Sequence, residues 1–181
     1  MISPGTYEFG PHNAKLQFET FREGMAKKVG HDLLLEAGQW QATVEVPDDP
    51  TQSVVTASID TRSINVVQGT GGVKPLSDGD RADIKKNIDK KVLDTAKHPE
   101  MTFRSTNVEV KGDTARVDGD LTLVGNTRPV TLDVTLDQGR LIATTSIVQS
   151  RWGIKPYSGL MGALKVRDDV AVTIEASPPN G

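Results

Sequence analysis

Residues 115–136 read ARVDGDLTLVGNTRPVTLDVTL. Val117, Leu121 and Leu123 share one parity in the first half of this stretch. Val130, Leu132, Val134 and Leu136 share one parity in the second half. A period of two is the mark of a strand with one buried face. Between the halves, Gly125-Asn126-Thr127-Arg128-Pro129 supplies turn residues. Pro129 has no N–H to give a ladder, so it belongs at a strand start or an edge. The stretch therefore predicts an antiparallel hairpin, and the rest of the chain repeats its pattern.

Six further segments alternate. Residues 15–21 place Leu16 and Phe18 on one face. Residues 31–46 carry Leu33 and Leu35 in one parity and Trp40, Ala42, Val44 and Val46 in the other. Ala37-Gly38 marks the switch, which predicts a bulge or a sharp bend. Residues 53–60, 101–110, 141–150 and 169–176 complete the set, with Met101 and Phe103 inward in the second of these. One helix is expected over residues 78–97, capped by Ser77 and stopped before Pro99. Ile84, Ile88 and Val92 form its apolar stripe. A weaker helical turn is expected at residues 23–28. Residues 68–79 and 151–162 are glycine-containing and read as loops of a length that often serves binding. The expectation is one mainly all-β domain over residues 1–181. Eight strands with one long helix between them suit a barrel or a sandwich.

The 181 residues include no cysteine, which removes disulfide and thiolate chemistry and a disulfide-stapled scaffold. The net charge of -3 is mixed along the chain, with no basic stripe for nucleic acid. The apolar runs are too short for a membrane-spanning helix. The opening residues lack the basic and apolar regions of a secretory signal, so the chain as written is expected in the cytoplasm. His12, His31 and His98 form no local metal-ligand pair, and no G-x-S-x-G elbow is present. Gly69-Thr70-Gly71-Gly72 with Lys74 departs from both phosphate-loop templates. The expectation is no enzyme, no catalytic residue, no metal and no cofactor.

Three segments resemble the YceI-like family of bacterial lipid-binding proteins. Residues 97–105, KHPEMTFRS, are similar to that family's P-x-x-x-F-x-S signature. Residues 117–130, VDGDLTLVGNTRPV, look like its G-x-L-t-l-x-G-x-T-[KR]-P-V stretch. Residues 166–174, VRDDVAVTI, are similar to its closing strand. The resemblance implies an eight-stranded antiparallel lipocalin-like barrel. It also implies an apolar pocket for a polyisoprenoid or similar amphiphile. Relatives usually carry a histidine–serine pair in their first strands and a second histidine before a glycine. Here Asn13 follows His12 and Gly30 precedes His31, which looks like a variant branch.

On this reading the chain binds, stores or transports an elongated apolar ligand (a polyisoprenoid, quinone or fatty acyl chain). The expected wall is Leu16, Phe18, Leu33, Leu35, Trp40, Met101, Phe103, Leu121 and Leu123. Trp152, Tyr157, Met161 and Leu164 are expected at a mouth or lid, where tryptophan and tyrosine offer a polar edge. The alternative is a protein-interaction or stress-response module with a packed barrel that docks through residues 151–162. A two-fold homodimer is the default for a soluble homo-oligomer, with no interface legible in the pattern.

Overall fold

The fold is that of a computed structural model, which describes residues 2–177. Among the described residues the fold has fourteen strands and one α-helix. They are β1 Gly5–Phe9, β2 Ala14–Thr20, β3 Arg22–Glu23, β4 Asp32–Ala37, β5 Trp40–Val46, β6 Val54–Asp60, β7 Ile64–Thr70 and α1 Asp78–Asn87. Then follow β8 Glu100–Lys111, β9 Thr114–Leu123, β10 Asn126–Asp137, β11 Arg140–Val148, β12 Ser158–Gly159, β13 Leu164–Val166 and β14 Asp169–Ala176.

The main sheet is antiparallel, in the order β1-β5-β6-β8-β9-β10-β11-β14-β2-β4-β7. It has eleven strands where the alternation predicted eight. β1 and β7 are additional, and the expected strand 31–46 is two strands that meet at a sharp bend. That bend is held from outside. The Gly38 N–H donates to the Ser63 carbonyl at 3.0 Å, and the Gln39 N–H donates to the Ser63 hydroxyl at 2.9 Å. β4 lies in one arm of the sheet and β5 in the other, with only Gly38 and Gln39 between them. The sheet therefore curls into a barrel-like shell around its apolar face. β12, β13 and β3 form a separate small sheet at one end.

The opening hairpin is tighter than the sequence predicts. Leu123 pairs with Asn126, so Val124 and Gly125 alone make the turn. Both have left-handed backbone, at φ 50° and 74°, as a two-residue hairpin turn requires. Pro129 consequently lies within β10, opposite Asp120. β11 pairs with β10 only from Asp133 onward, so the side of Pro129 away from β9 is locally an edge and loses no ladder bond.

The helix is shorter than expected. α1 ends at Asn87 and continues as one π-helical turn, Ile88–Val92. The Leu93 N–H donates to the Ile88 carbonyl, five residues back, at 2.9 Å. Left-handed Asp94, at φ 47°, ends the run before Pro99 is reached. The expected turn at 23–28 appears instead as a 3-10 turn, Lys27–Val29. Ser77 caps α1 as the sequence predicts. Its hydroxyl accepts from the Asp80 N–H at 3.1 Å, and its own N–H donates to the Asp80 carboxylate at 2.9 Å. Ser77→Ala is expected to lower stability by about 1 kcal/mol, read as a lower urea midpoint at unchanged slope. The Ser77 backbone N–H holds the Asp80 carboxyl below its ordinary value. A depressed carboxyl stabilises the fold above its unfolded value, and that stabilisation is lost as pH falls through the lowered one.

Candidate functional site

The inward faces of the strands do not pack solid from end to end. Two cavities open inside the shell, and the order of side chains along each strand shows how they are separated. On β9, Leu123 lines the first cavity and Val117 the second, while buried Leu121 between them lines neither. On β8, Met101 lines the first and Val108 the second, with buried Phe103 between. On β14 the same order is Val170, Val172 and Ile174. Buried Phe103, Leu121 and Val172 thus lie between the two cavities along their strands, and buried Leu16 and Ile59 likewise line neither. Gly119 makes room for the Phe103 ring, which a Cβ there would overlap.

The first cavity holds about 300 Å³. Its floor is buried and apolar: Phe18, Leu35, Ile64, Met101, Leu123 and Ile147. Ile84 and Ile88 bring the helical stripe over it, and Val92 and Leu93 follow through the π-turn. That turn brings three apolar residues of one short segment to a single wall, a use in keeping with π-turns at functional sites. Polar groups appear only among Thr20, Arg22, His31, Asn87, Gln149, Tyr157 and Lys165. Arg22 is tied down by donating to the Gly30 and Thr70 carbonyls at 3.1 and 2.8 Å. His31 Nε2 lies 2.7 Å from the Lys74 carbonyl. Gly71 and Gly72, both left-handed, wrap closely over Arg22 and His31, where a Cβ on either would overlap those side chains. The glycine-rich loop thus has a steric reason for its composition. Gln149 Nε2 donates to the Arg167 carbonyl at 3.1 Å.

The mouth lies among residues 24–30, residues 157–166 and the helix. The Ala26 N–H joins the first two by donating to the Ala163 carbonyl at 2.8 Å. Around it Met25, Val29, Leu160 and Met161 are exposed apolar side chains. Leu160 and Met161 both have left-handed backbone, at φ 47° and 55°, an uncommon state for residues of this bulk. Lys27, Lys28 and Lys165 are exposed beside them.

Of the residues expected in the wall, Phe18, Leu33, Leu35, Met101 and Leu123 line this cavity, as do Tyr157 and Leu164 at its mouth. Leu16, Phe103 and Leu121 do not; they are buried and line neither cavity. Trp40 lines the second cavity instead. Met161 stands on the rim, exposed to solvent, and lines neither cavity. Trp152 is neither lid nor mouth. It is 1 % exposed, and its Nε1–H donates to the Leu121 carbonyl at 2.9 Å. Alternation missed Ile64, Ile147, Ile154 and Val170 as lining residues. It found the stripe Ile84, Ile88 and Val92 but gave it no role.

The second cavity holds about 180 Å³ among Phe9, Trp40, Val44, Val108, Val117 and Leu132. Trp40 is 8 % exposed, and its Nε1–H has no hydrogen-bond partner. Leaving a buried donor unpaired costs about 1–3 kcal/mol. Among the described residues it is the one buried side-chain nitrogen or oxygen in that state.

Among the described residues no group of three or more His, Asp or Glu is placed to hold a metal ion, and no helix is long and apolar enough to cross a membrane. A YceI-like domain profile matches residues 7–177. The chain belongs to the YceI-like family. Protein YceI of Escherichia coli O157:H7 is 54% identical over 44 residues, 24% of this chain and 23% of that protein. A UPF0312 protein of Yersinia pestis (strain Pestoides F) is 44% identical over 71 residues, 39% of this chain and 35% of that one. The alignments therefore span well under half of these curated relatives. Among solved structures, Burkholderia cenocepacia BcnA superposes with a TM-score of 0.64 at 19% identity, covering 90% of this chain and 94% of its own. A Saccharophagus degradans domain described as polyisoprenoid-binding, and implicated in plant cell wall breakdown, superposes at 0.50 with 13% identity, covering 96% and 99%. At these identities the likeness is one of fold.

Proposed function

We propose that this YceI-like chain binds an elongated apolar ligand in its first cavity, as a carrier or store with no chemical step. The observation that carries this reading is the cavity wall. An apolar floor sits beneath an opening flanked by exposed apolar side chains and a few polar groups. Such a site takes a long chain by burial and orients one polar end at the mouth. A polyisoprenoid is the ligand class favoured by the Saccharophagus domain's description; a quinone tail or a fatty acyl chain fits the same wall. Asn87 and Lys165 line the cavity and have no side-chain partner among the described residues, which suits them to meet a head group. The docking reading counts on Trp152, Tyr157 and Met161 as an exposed patch on residues 151–162; Trp152 is core, while Met161 is exposed.

The test is a binding series with prenyl alcohols of increasing length, read by calorimetry in detergent-free buffer. Each buried methylene contributes about 0.8 kcal/mol, so each added isoprene unit should raise affinity at least about tenfold until the cavity is full. A protein that takes up no member of the series contradicts the reading.

A further inference from the structure

The rim of the first cavity exposes apolar side chains that a ligand inside the cavity does not need. Met161 is 107 % exposed, Met25 98 %, Leu160 60 % and Val29 47 %. They sit on two adjacent segments, joined where the Ala26 N–H donates to the Ala163 carbonyl. Single exposed apolar residues are ordinary, but several on joined segments around one opening are the mark of a surface that meets a partner. Leu160 and Met161 are held there by left-handed backbone, at φ 47° and 55°, a state that suits asparagine far better. The fold keeps that strain at two side chains that lie largely outside its core.

Charge names the partner. The net charge is -3, yet residues 24–31 and 152–166 carry Lys27, Lys28, Lys155 and Lys165 and no Asp or Glu. All four lysines are exposed. Lys91 joins them from the π-turn, with its ammonium 5.9 Å from the Tyr157 ring centroid. Glu23 stands opposite Lys165 in the β13–β3 pairing. Lys27, Lys28 and Lys155 are in no ion pair among the described residues. We infer that this rim docks on the surface of an anionic phospholipid bilayer. Met25, Leu160 and Met161 enter the acyl boundary, and the lysines lie on lipid phosphates. Lysines flanking exposed apolar side chains are the composition of an interfacial anchor. A second copy of the chain is a poorer occupant, because two-fold docking on this patch would bring its unpaired lysines together. The docking stands on the rim alone. Its consequence rests on the ligand reading above: an apolar chain would pass between bilayer and cavity without crossing water.

The test is flotation with ligand-free vesicles, made of phosphatidylcholine alone or of phosphatidylcholine and phosphatidylglycerol in equal parts. The chain is expected to partition onto the mixed vesicles at least about tenfold more strongly than onto the neutral ones. A lysine near an anionic surface raises partition about fivefold, so Lys27→Gln combined with Lys28→Gln should lose about 25-fold. Leu160→Asn combined with Met161→Asn should lose about tenfold or more through the lost apolar insertion. Its urea midpoint should stay level or rise, because asparagine suits left-handed backbone. That opposition separates lost docking from lost folding. Equal partition onto both vesicles, partition onto neither, or full vesicle binding in either double variant overturns the inference. So does an unaltered chain that sediments as a dimer where the asparagine variant is a monomer, because the patch then covers a second copy. Prenyl alcohol binding is read without vesicles, so its failure would contradict the first-cavity reading and leave the docking test intact.

Discussion

Val170→Phe combined with Ile88→Phe is expected to weaken binding of geranylgeraniol about a hundredfold while leaving the protein folded. The two side chains line the first cavity from β14 and from the π-turn after α1. Both are half-buried, and open cavity space lies before them. Two rings in place of two aliphatic groups would occupy the room of several ligand methylenes. At about 0.8 kcal/mol for each methylene displaced, three or four amount to roughly two orders of magnitude in affinity. The same rings fill empty space, so stability should stay level or rise by about 0.5–2 kcal/mol. This opposition separates a blocked cavity from a damaged fold. Unchanged affinity in the double variant would place the chain elsewhere.

Trp152→Ala should have the largest effect on stability, about 3–5 kcal/mol. The ring fills the core beneath the β9–β10 hairpin, and the 3-10 turn Gln149–Trp152 presents it there. Two hydrogen bonds fix that placement. Trp152 Nε1–H donates to the Leu121 carbonyl, and the Asn126 amide donates to the Trp152 carbonyl at 2.8 Å. The Arg151 guanidinium stacks over the ring, 5.4 Å from its centroid. Truncation leaves a cavity and an orphaned acceptor at Leu121. Urea unfolding should show a much lower midpoint with a similar slope. A docking residue would behave oppositely, losing a partner at little cost to the fold.

The contrast between these residues shows what the sequence could carry. Alternation found β9, β10 and β14 because their inward faces are buried and their outward faces wet. β7 was missed, since its pattern of mostly exposed residues hides the period and Gln68-Gly69 looked like loop. β1 is short, with only Phe9 fully buried, and offers too little pattern to read. The helix end was placed by Pro99, but the left-handed Asp94 ends it earlier, which no period records.

For the site, parity states that a side chain points inward but not at what height in the shell. Phe103 and Met101 share a face, yet one is buried between the cavities and the other lines the first. Trp40 is inward as expected, but at the opposite end. Trp152 was misplaced for a different reason. A tryptophan in a glycine-rich loop reads as exposed, and its burial depends on a 3-10 turn ending at left-handed Gly153. Ile84, Ile88 and Val92 were legible as an apolar stripe. What they cover is set by how the helix crosses the barrel-like mouth, which is a long-range outcome.

The central claim is that an isoprenoid chain lies in the first cavity, and the isoleucine δ1 methyl groups are placed to report it. Ile64, Ile84, Ile88, Ile147 and Ile154 line that cavity. Ile174 lines the second, and Ile142 points outward between Leu141 and Ala143, which face the second cavity. With geranylgeraniol at saturation, methyl-labelled spectra should show new positions for the first five signals and unmoved signals for Ile142 and Ile174. Binding that leaves those five in place, or the absence of any change at all, would contradict the account.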